Sequence, residues 1–296
     1  MARRRGPIAG FLELIKFSHT LFAMPFAIAA VALAALEARR GAGAEAGTGF
    51  WIAKLGLVLA AMVCARTAAM TFNRLADWDI DQRNPRTAKR HTLATRGAVR
   101  AVCVGSAFMF VAVCSFINTL AFALSPVALA VIFFYSLTKR FTPLSHFFLG
   151  LSLALAPLGG WCAILGELRS AQPWLLAAAV VFWVAGFDLI YALQDADFDR
   201  SEGLHSLSAK LGEKNTLRLA RILHGAMIAL LLALGHVARL GGVYEAGLVL
   251  IAAVLFWEHR LAKRGTPEAV QAAFFRSNVW ISVILMLSIL IENWKS

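Results

Sequence analysis

The sequence predicts an all-α fold, a polytopic membrane bundle of about nine transmembrane helices. Three observations predict it: the chain is 59% hydrophobic and only 16% charged, its apolar stretches are long enough to cross a bilayer, and its basic residues are distributed to one side. A soluble globular domain carries roughly 45–50% apolar and about 25% charged residues, so composition excludes an ordinary cytosolic enzyme. Disorder is excluded with it, since low hydrophobicity defines that class. The 29 Lys and Arg against 17 Asp and Glu give a formal net charge of +12. A nucleic-acid binder would gather such charge on a solvated face. Here it lies between apolar runs, so membrane lipid is the expected partner and nucleic acid is not. The chain reads as one integral-membrane domain over residues 1–296.

A membrane-crossing helix needs about 20 mainly apolar residues. The first such stretch is Phe17–Leu36, whose apolar core exceeds that of a cleaved signal, so it reads as a retained anchor. Trp51–Phe72 follows, with Lys54 and Arg66 inside it. Val99–Ile117 and Leu120–Tyr135 come next, divided by little more than Asn118, so eight spans is the alternative count. Leu144–Leu165 contains Gly159 and Gly160, small residues suited to close helix packing. Trp174–Leu193, Leu217–Val237, Gly242–Trp257 and Val279–Ile291 complete the series. Cys64, Cys103, Cys114 and Cys162 all lie in apolar runs without metal-ligand spacing and read as small hydrophobes.

Cytoplasmic loops of membrane proteins are enriched in Lys and Arg. With the N-terminus inside, the inner segments hold Arg3, Arg4, Arg5 and Lys16, then Arg74, Arg83, Arg86, Lys89, Arg90, Arg96 and Arg100. Lys139 and Arg140 follow, then Arg200, Lys210, Lys214, Arg218 and Arg221, and finally Arg260, Lys263, Arg264 and Arg276. The outer segments hold only Arg39, Arg40, Arg169, Arg239 and Lys295. This asymmetry places the N-terminus inside and the C-terminus outside.

The aspartates fall in two places: Asp77, Asp79 and Asp81, then Asp188, Asp195, Asp197 and Asp199. The first patch, NRLADWDIDQRNPRTAKR from Asn73, begins where the second span leaves the membrane; the second, YALQDADFDR from Tyr191, begins where the sixth does. Asn73, Asp77 and Asp81 step by four residues, as do Asp195 and Asp199, so on continuing helices each set shares a face. Asp79 and Asp197 fall off that face. The second and sixth spans run in one direction, so both patches emerge on the cytoplasmic side. Such like-charged groups repel unless something neutralises them. Magnesium takes oxygen ligands, typically one or two carboxylates plus substrate phosphates. Two carboxylate faces across a cavity therefore suit Mg²⁺ ions bridging a diphosphate, with Lys and Arg neutralising the remaining charge. Solvated loop acids would explain one patch equally well, but not two matching ones on one side. Ionisable groups at membrane depth mark functional sites.

At these residues the sequence resembles the UbiA superfamily of intramembrane aromatic prenyltransferases. The resemblance is carried by N-x-x-x-D-x-x-x-D after the second span and D-x-x-x-D after the sixth. It extends to YSLTKR (Tyr135–Arg140) and GLHSLSAKLG (Gly203–Gly212), and runs over most of the chain. It implies nine transmembrane helices around a central cavity, acidic motifs that bind Mg²⁺ and a polyprenyl diphosphate, and alkylation of an aromatic acid acceptor. KFSHTLFAMPFA and NPRTAKR look closer to a branch that serves 4-hydroxybenzoate or, on a route to menaquinone, a naphthoate. The chain departs from the family pattern at LIKFSHTLF, where an Arg and an Asp are common, at Trp78, and at RHTLATRG.

Under this resemblance Asp77, Asp81, Asp195 and Asp199 are the Mg²⁺ ligands, with Asn73 supporting the first pair and Asp79 and Asp197 as second choices. Lys139 and Arg140 are the leading diphosphate ligands, Arg83 and Lys210 stand behind them, and Tyr135 joins them at the substrate. Arg66, seven residues before Asn73, and Asp188, seven before Asp195, put a charge two turns deeper on each patch-bearing helix. A charge within the bilayer is costly, so both are expected to face the cavity, where they are able to pair. Arg66 would then hold the acceptor carboxylate or the diphosphate, and Asp188 would anchor Arg66 or accept a proton. His19 and Lys16 are weaker candidates for the acceptor; a lone His in an apolar helix is more often a packing residue.

A cation channel or transporter lined by acidic rings is the competing class. It accounts for carboxylates at the membrane edge but not for dense Lys and Arg in the same loops, which repel cations. Within prenyl transfer, a naphthoate acceptor in menaquinone synthesis competes with a 4-hydroxybenzoate-like acid in quinone synthesis. The expected location is a bacterial inner membrane, with the site opening to the cytoplasmic side.

Overall fold

The structure, a computed structural model, describes residues 20–42, 48–83, 87, 93–263 and 273–295. In chain order its helices are α1 (Thr20–Ala42), α2 (Thr48–Ala76), α3 (Trp78–Arg83), α4 (Arg96–Ile117), α5 (Thr119–Thr138), α6 (Ser145–Leu165), α7 (Ala171–Ala192), α8 (Ala196–Ser201), α9 (Leu207–Val237), α10 (Gly242–Ala262) and α11 (Asn278–Lys295). No strand occurs among the described residues. Eight of the described helices are long and apolar enough to cross a membrane. The helix α1 has span length, 23 residues, but ends in Glu37, Arg39 and Arg40.

Helix boundaries follow capping chemistry. Asn118 divides α4 from α5: its backbone is extended at φ −171° and ψ 172°, and its side-chain oxygen accepts from the Ala121 amide at 2.8 Å. Its amide nitrogen donates to the Cys162 carbonyl at 2.8 Å. Asparagine is among the strongest N-caps because it satisfies an otherwise unpaired helix amide, so one polar residue ends one helix and starts the next. The third and fourth apolar stretches are thus separate helices. Thr95, Ser170 and Ser206 cap α4, α7 and α9 in the same way. The helix α6 ends at Gly166 in the left-handed region, φ 68°, where glycine carries no Cβ penalty.

Helices exceed their apolar stretches at the basic side. The expected 217–237 stretch belongs to α9, 31 residues long and kinked at Gly212 (φ 71°). Polar residues with helix-compatible propensity carry these ends out of the apolar zone.

Packing closes a ring of neighbours: α1 on α2, α2 on α4, α4 on α5, α5 on α6, α6 on α7, α7 on α9, α9 on α10, α10 on α11, and α11 back on α1. The main core joins Phe26 and Leu33 of α1, Trp161 of α6, Trp183 of α7, Met227 and Leu231 of α9, and Ile281 and Leu285 of α11. The helices α1 and α6 meet at Gly160, where an added Cβ would stand 2.6 Å from the Ala27 carbonyl oxygen; Gly159 faces open space. Phe108, Phe116, Ile222, Val249 and Trp280 point outward. Apolar outer faces of this kind suit lipid, which asks only that backbone polar groups be paired within each helix.

The enclosed helix is α7, buried along most of its length between α6 and α9. Its C-terminal end carries the second acidic patch. The end of α2 carries the first, and α2 also packs on α5 and α6.

Candidate active site

The first patch continues the helical hydrogen-bond ladder across the break between α2 and α3. The Asp77 amide donates to the Asn73 carbonyl at 2.9 Å, and the Asp81 amide to the Asp77 carbonyl at 2.7 Å. Asn73, Asp77 and Asp81 therefore share a face. The Asn73 amide nitrogen donates to Asp77 Oδ2 at 3.2 Å. Asp77 and Asp81 are half-buried, and Asp79 is exposed. Burial and the neighbouring Asp81 push the Asp77 carboxyl above the ordinary range, against the opposing pull of Lys139, Arg74 and Arg140.

The second patch is not a continuous α-helix. A 3-10 turn, Leu193–Asp195, separates α7 from α8, and Asp195 occupies the N-cap position of α8. The turn changes the angular step, so Asp195 stays half-buried while Asp199 is only 3% exposed. Asp199 Oδ2 is buried without a hydrogen-bond partner among the described residues. Leaving such a group unpaired costs about 1–3 kcal/mol, so this oxygen is chemically suited to accept from a ligand. Asp197 is 98% exposed and pairs with Arg200 at 2.9 Å.

Lys139 joins the two patches. It caps the C-terminus of α5 and stands in the field of Asp199, Asp188, Asp77 and Asp195. Burial opposes its charge, but these four carboxylates together outweigh burial and hold the ammonium above the ordinary lysine value. Its carbonyl accepts from the His205 amide at 2.9 Å, which ties the segment after α8 to the end of α5. Arg83 of α3 bonds Glu202, just past α8, at 3.0 Å. Arg140 Nη2 donates to the Ala76 carbonyl at the end of α2. Three helix ends distant in sequence are thereby fastened together.

Deeper in the bundle the expected Arg66–Asp188 pair does not form. Asp188 Oδ2 lies 2.7 Å from His146 Nδ1. Arg66 Nε is buried and finds no partner among the described residues. The reason is helix placement: α6, which carries His146, packs extensively on α7 and only lightly on α2. Tyr135 of α5 lies within the fields of Asp188, Asp77, Arg74 and Arg66.

Two residues escaped the sequence reading. Arg74, counted there as a loop cation, is buried inside α2, 6% exposed, and bonds Asp81 Oδ2 at 3.0 Å. Its seven-residue spacing to Asp81, two helical turns, was the available signal. His146 pairs across 42 residues and between helices, and nothing local announces that. Lys210 is exposed in the first turn of α9, with no side-chain bond found among the described residues. His19, Lys16 and, apart from Thr87, the NPRTAKR stretch lie outside the described residues. Trp78 carries the Arg96 guanidinium 6.0 Å from its ring centre.

Oxygen donors suit a hard divalent cation, and the orphaned Asp199 Oδ2 and half-buried Asp77 and Asp195 are such donors. Among the described residues no three acidic or metal-ligating side chains converge on one point. Any cation here would complete its shell from substrate oxygens or water.

A model of the UbiA prenyltransferase family matches residues 23–280. A 4-hydroxybenzoate octaprenyltransferase of Marinobacter nauticus is 31% identical over 258 residues, 84% of each chain. Another, of Vibrio cholerae, is 33% identical over 236 residues, 77% of this chain and 81% of the relative. Among solved structures, the apo form of a UbiA homologue from Aeropyrum pernix is 34% identical with a TM-score of 0.79, covering 92% of this chain and 97% of that one. A UbiA homologue from Archaeoglobus fulgidus, bound to GPP and Mg²⁺, shares the fold at 16% identity and a TM-score of 0.63, covering 95% and 99%. The chain is an integral membrane protein and belongs to the UbiA prenyltransferase family.

Proposed function

We propose that the chain transfers a prenyl group from a polyprenyl diphosphate to an aromatic acid of the 4-hydroxybenzoate kind, with Mg²⁺, in quinone synthesis at a bacterial inner membrane. The observation that carries this reading is Lys139 standing in the field of carboxylates from both patches. A site for metal-bound diphosphate needs both signs at one place; a cation path does not tolerate an ammonium at its centre. The names of the 4-hydroxybenzoate octaprenyltransferases it resembles support the acceptor class.

Asp77, Asp81, Asp195 and Asp199, with Asn73, would hold the metal, which when bound neutralises charge growing on the leaving diphosphate. Asp81 serves while also holding Arg74. Lys139 and Arg140 bind diphosphate oxygens, with Arg83 and Lys210 at the rim. The bond between the prenyl C1 and the diphosphate oxygen breaks, and its electron pair leaves with the diphosphate. Tyr135 presents its ring to the allylic cation. A ring carbon of the acceptor bonds C1, and the proton on that carbon passes to Asp188. Arg66, whose buried Nε has no partner among the described residues, binds the acceptor carboxylate. The site opens to the cytoplasmic side, where the basic loops lie.

The test is incubation of purified protein with Mg²⁺, a radiolabelled polyprenyl diphosphate and a panel of aromatic acids. Prenylated 4-hydroxybenzoate is expected; product only from a naphthoate would shift the acceptor to the menaquinone branch. No product from any acid, together with Mg²⁺ flux in liposomes, would overturn the reading.

A further inference from the structure

Asp188 is bonded to a side chain that no step above uses. His146 of α6 approaches it from the neighbouring helix, with Nδ1 2.7 Å from Oδ2. A carboxylate only accepts, so where a neutral imidazole makes this contact its ring proton is on Nδ1 and Nε2 is an acceptor. Nε2 is buried and meets no donor among the described residues. His146 is 1% exposed, whereas the Asp188 side chain is 19% exposed. The imidazole therefore lies behind the carboxylate, out of reach of a substrate. Asp188 keeps an open side and lies in reach of the charges of Lys139 and the Tyr135 hydroxyl.

Packing does not account for an imidazole at this place. A phenylalanine would fill the first turn of α6 without orphaning a nitrogen. The short bond does account for it: it occupies Oδ2 and fixes the plane of the carboxylate, leaving Oδ1 for a ligand. We infer that His146 is a positioning residue for prenyl transfer, holding Asp188 by Oδ2 so that Oδ1 meets the acceptor ring. The inference rests on Asp188 taking the ring proton. In that step the proton moves from the ring carbon to Oδ1, and the C–H electron pair returns to the aromatic ring. The leaving diphosphate carries away the other pair, so no oxidant or reductant is needed. His146 keeps its own proton throughout.

The test uses the full chain in nanodiscs with Mg²⁺, geranyl diphosphate and 4-hydroxybenzoate. His146→Phe is expected to lower kcat about a hundredfold, the scale of a misplaced reacting group, with KM for the diphosphate unchanged. His146→Asn, whose amide nitrogen is able to stand where Nδ1 stands, restores most of that loss. In nitrogen-15 NMR of histidine-labelled protein, His146 shows a protonated Nδ1 whose resonance moves in Asp188→Asn. A wild-type kcat in His146→Phe, a His146→Asn variant no better than His146→Phe, or a resonance indifferent to Asp188→Asn overturns the inference. The NMR arm needs no turnover. If the wild type prenylates none of the acids, the acceptor reading fails while this arm still decides the contact.

Discussion

Arg74 and Asp81 form a 3.0 Å ion pair along one face of the α2–α3 segment, with side-chain exposures of 7% and 18%. The pair turns the first acidic patch from a repelling group into a held one. Removing Arg74 takes a cation from a half-buried carboxylate, which is destabilising. Arg74→Ala should therefore lower the thermal unfolding midpoint in detergent as well as activity. Arg74→Ala with an unmoved midpoint would show that Asp81 finds another cation.

The buried and exposed acids of each patch should separate cleanly. Asp77→Ala and Asp195→Ala are expected to reduce transfer at least about a hundredfold, as loss of electrostatic stabilisation does. Asp79→Ala and Asp197→Ala, on exposed side chains, should stay within about twofold of wild type, as surface substitutions usually do. Membrane insertion, followed by proteolysis in intact vesicles, should be the same in all four. Equal losses at exposed and buried positions would sink the metal assignment.

Lys139 should behave as the hinge of the electrostatics. Lys139→Met removes the cation whose charge acts on four carboxylates, Asp199, Asp188, Asp77 and Asp195. Diphosphate binding by titration calorimetry in saturating Mg²⁺ should weaken by about tenfold to a hundredfold, the worth of a charge-assisted hydrogen bond. Lys139→Arg should recover part of the affinity and less of the rate, because a planar fork replaces a point charge.

Arg66→Ala should raise KM for the aromatic acid about tenfold or more while KM for the prenyl diphosphate stays constant, since one charge-assisted bond is worth about 1.5–3 kcal/mol. Arg66→Lys should not rescue it, since an ammonium lacks the bidentate fork. A change confined to the diphosphate KM would move Arg66 to the leaving group.

Asn118→Ala tests the fold apart from the chemistry. It removes the cap on α5 and the bond to the Cys162 carbonyl. A lost N-cap costs about 0.5–2 kcal/mol, so the unfolding midpoint should fall while kcat stays at the wild-type value.

Much of the bundle was legible because its causes are local. A run of about 20 apolar residues is helical and membrane-spanning whatever its neighbours, and Asn118 signals its own break. The four-residue steps among Asn73, Asp77 and Asp81 needed only helical periodicity, and the ladder continues across them as that periodicity requires. At Asp195 the same reasoning met a 3-10 turn, since a backbone that exits between packed helices answers to those helices as well as to its own sequence.

By itself, then, the sequence determined an all-helical membrane chain and two acidic patches at helix ends. Only the tertiary structure decided the pairings: His146 rather than Arg66 on Asp188, Arg74 on Asp81, and Lys139 before both patches. The division has a physical reason. Hydrophobicity and periodicity are properties of a segment, while the partner of a buried charge depends on which helices pack together. Here α6 lies against α7 and brings its histidine to the aspartate.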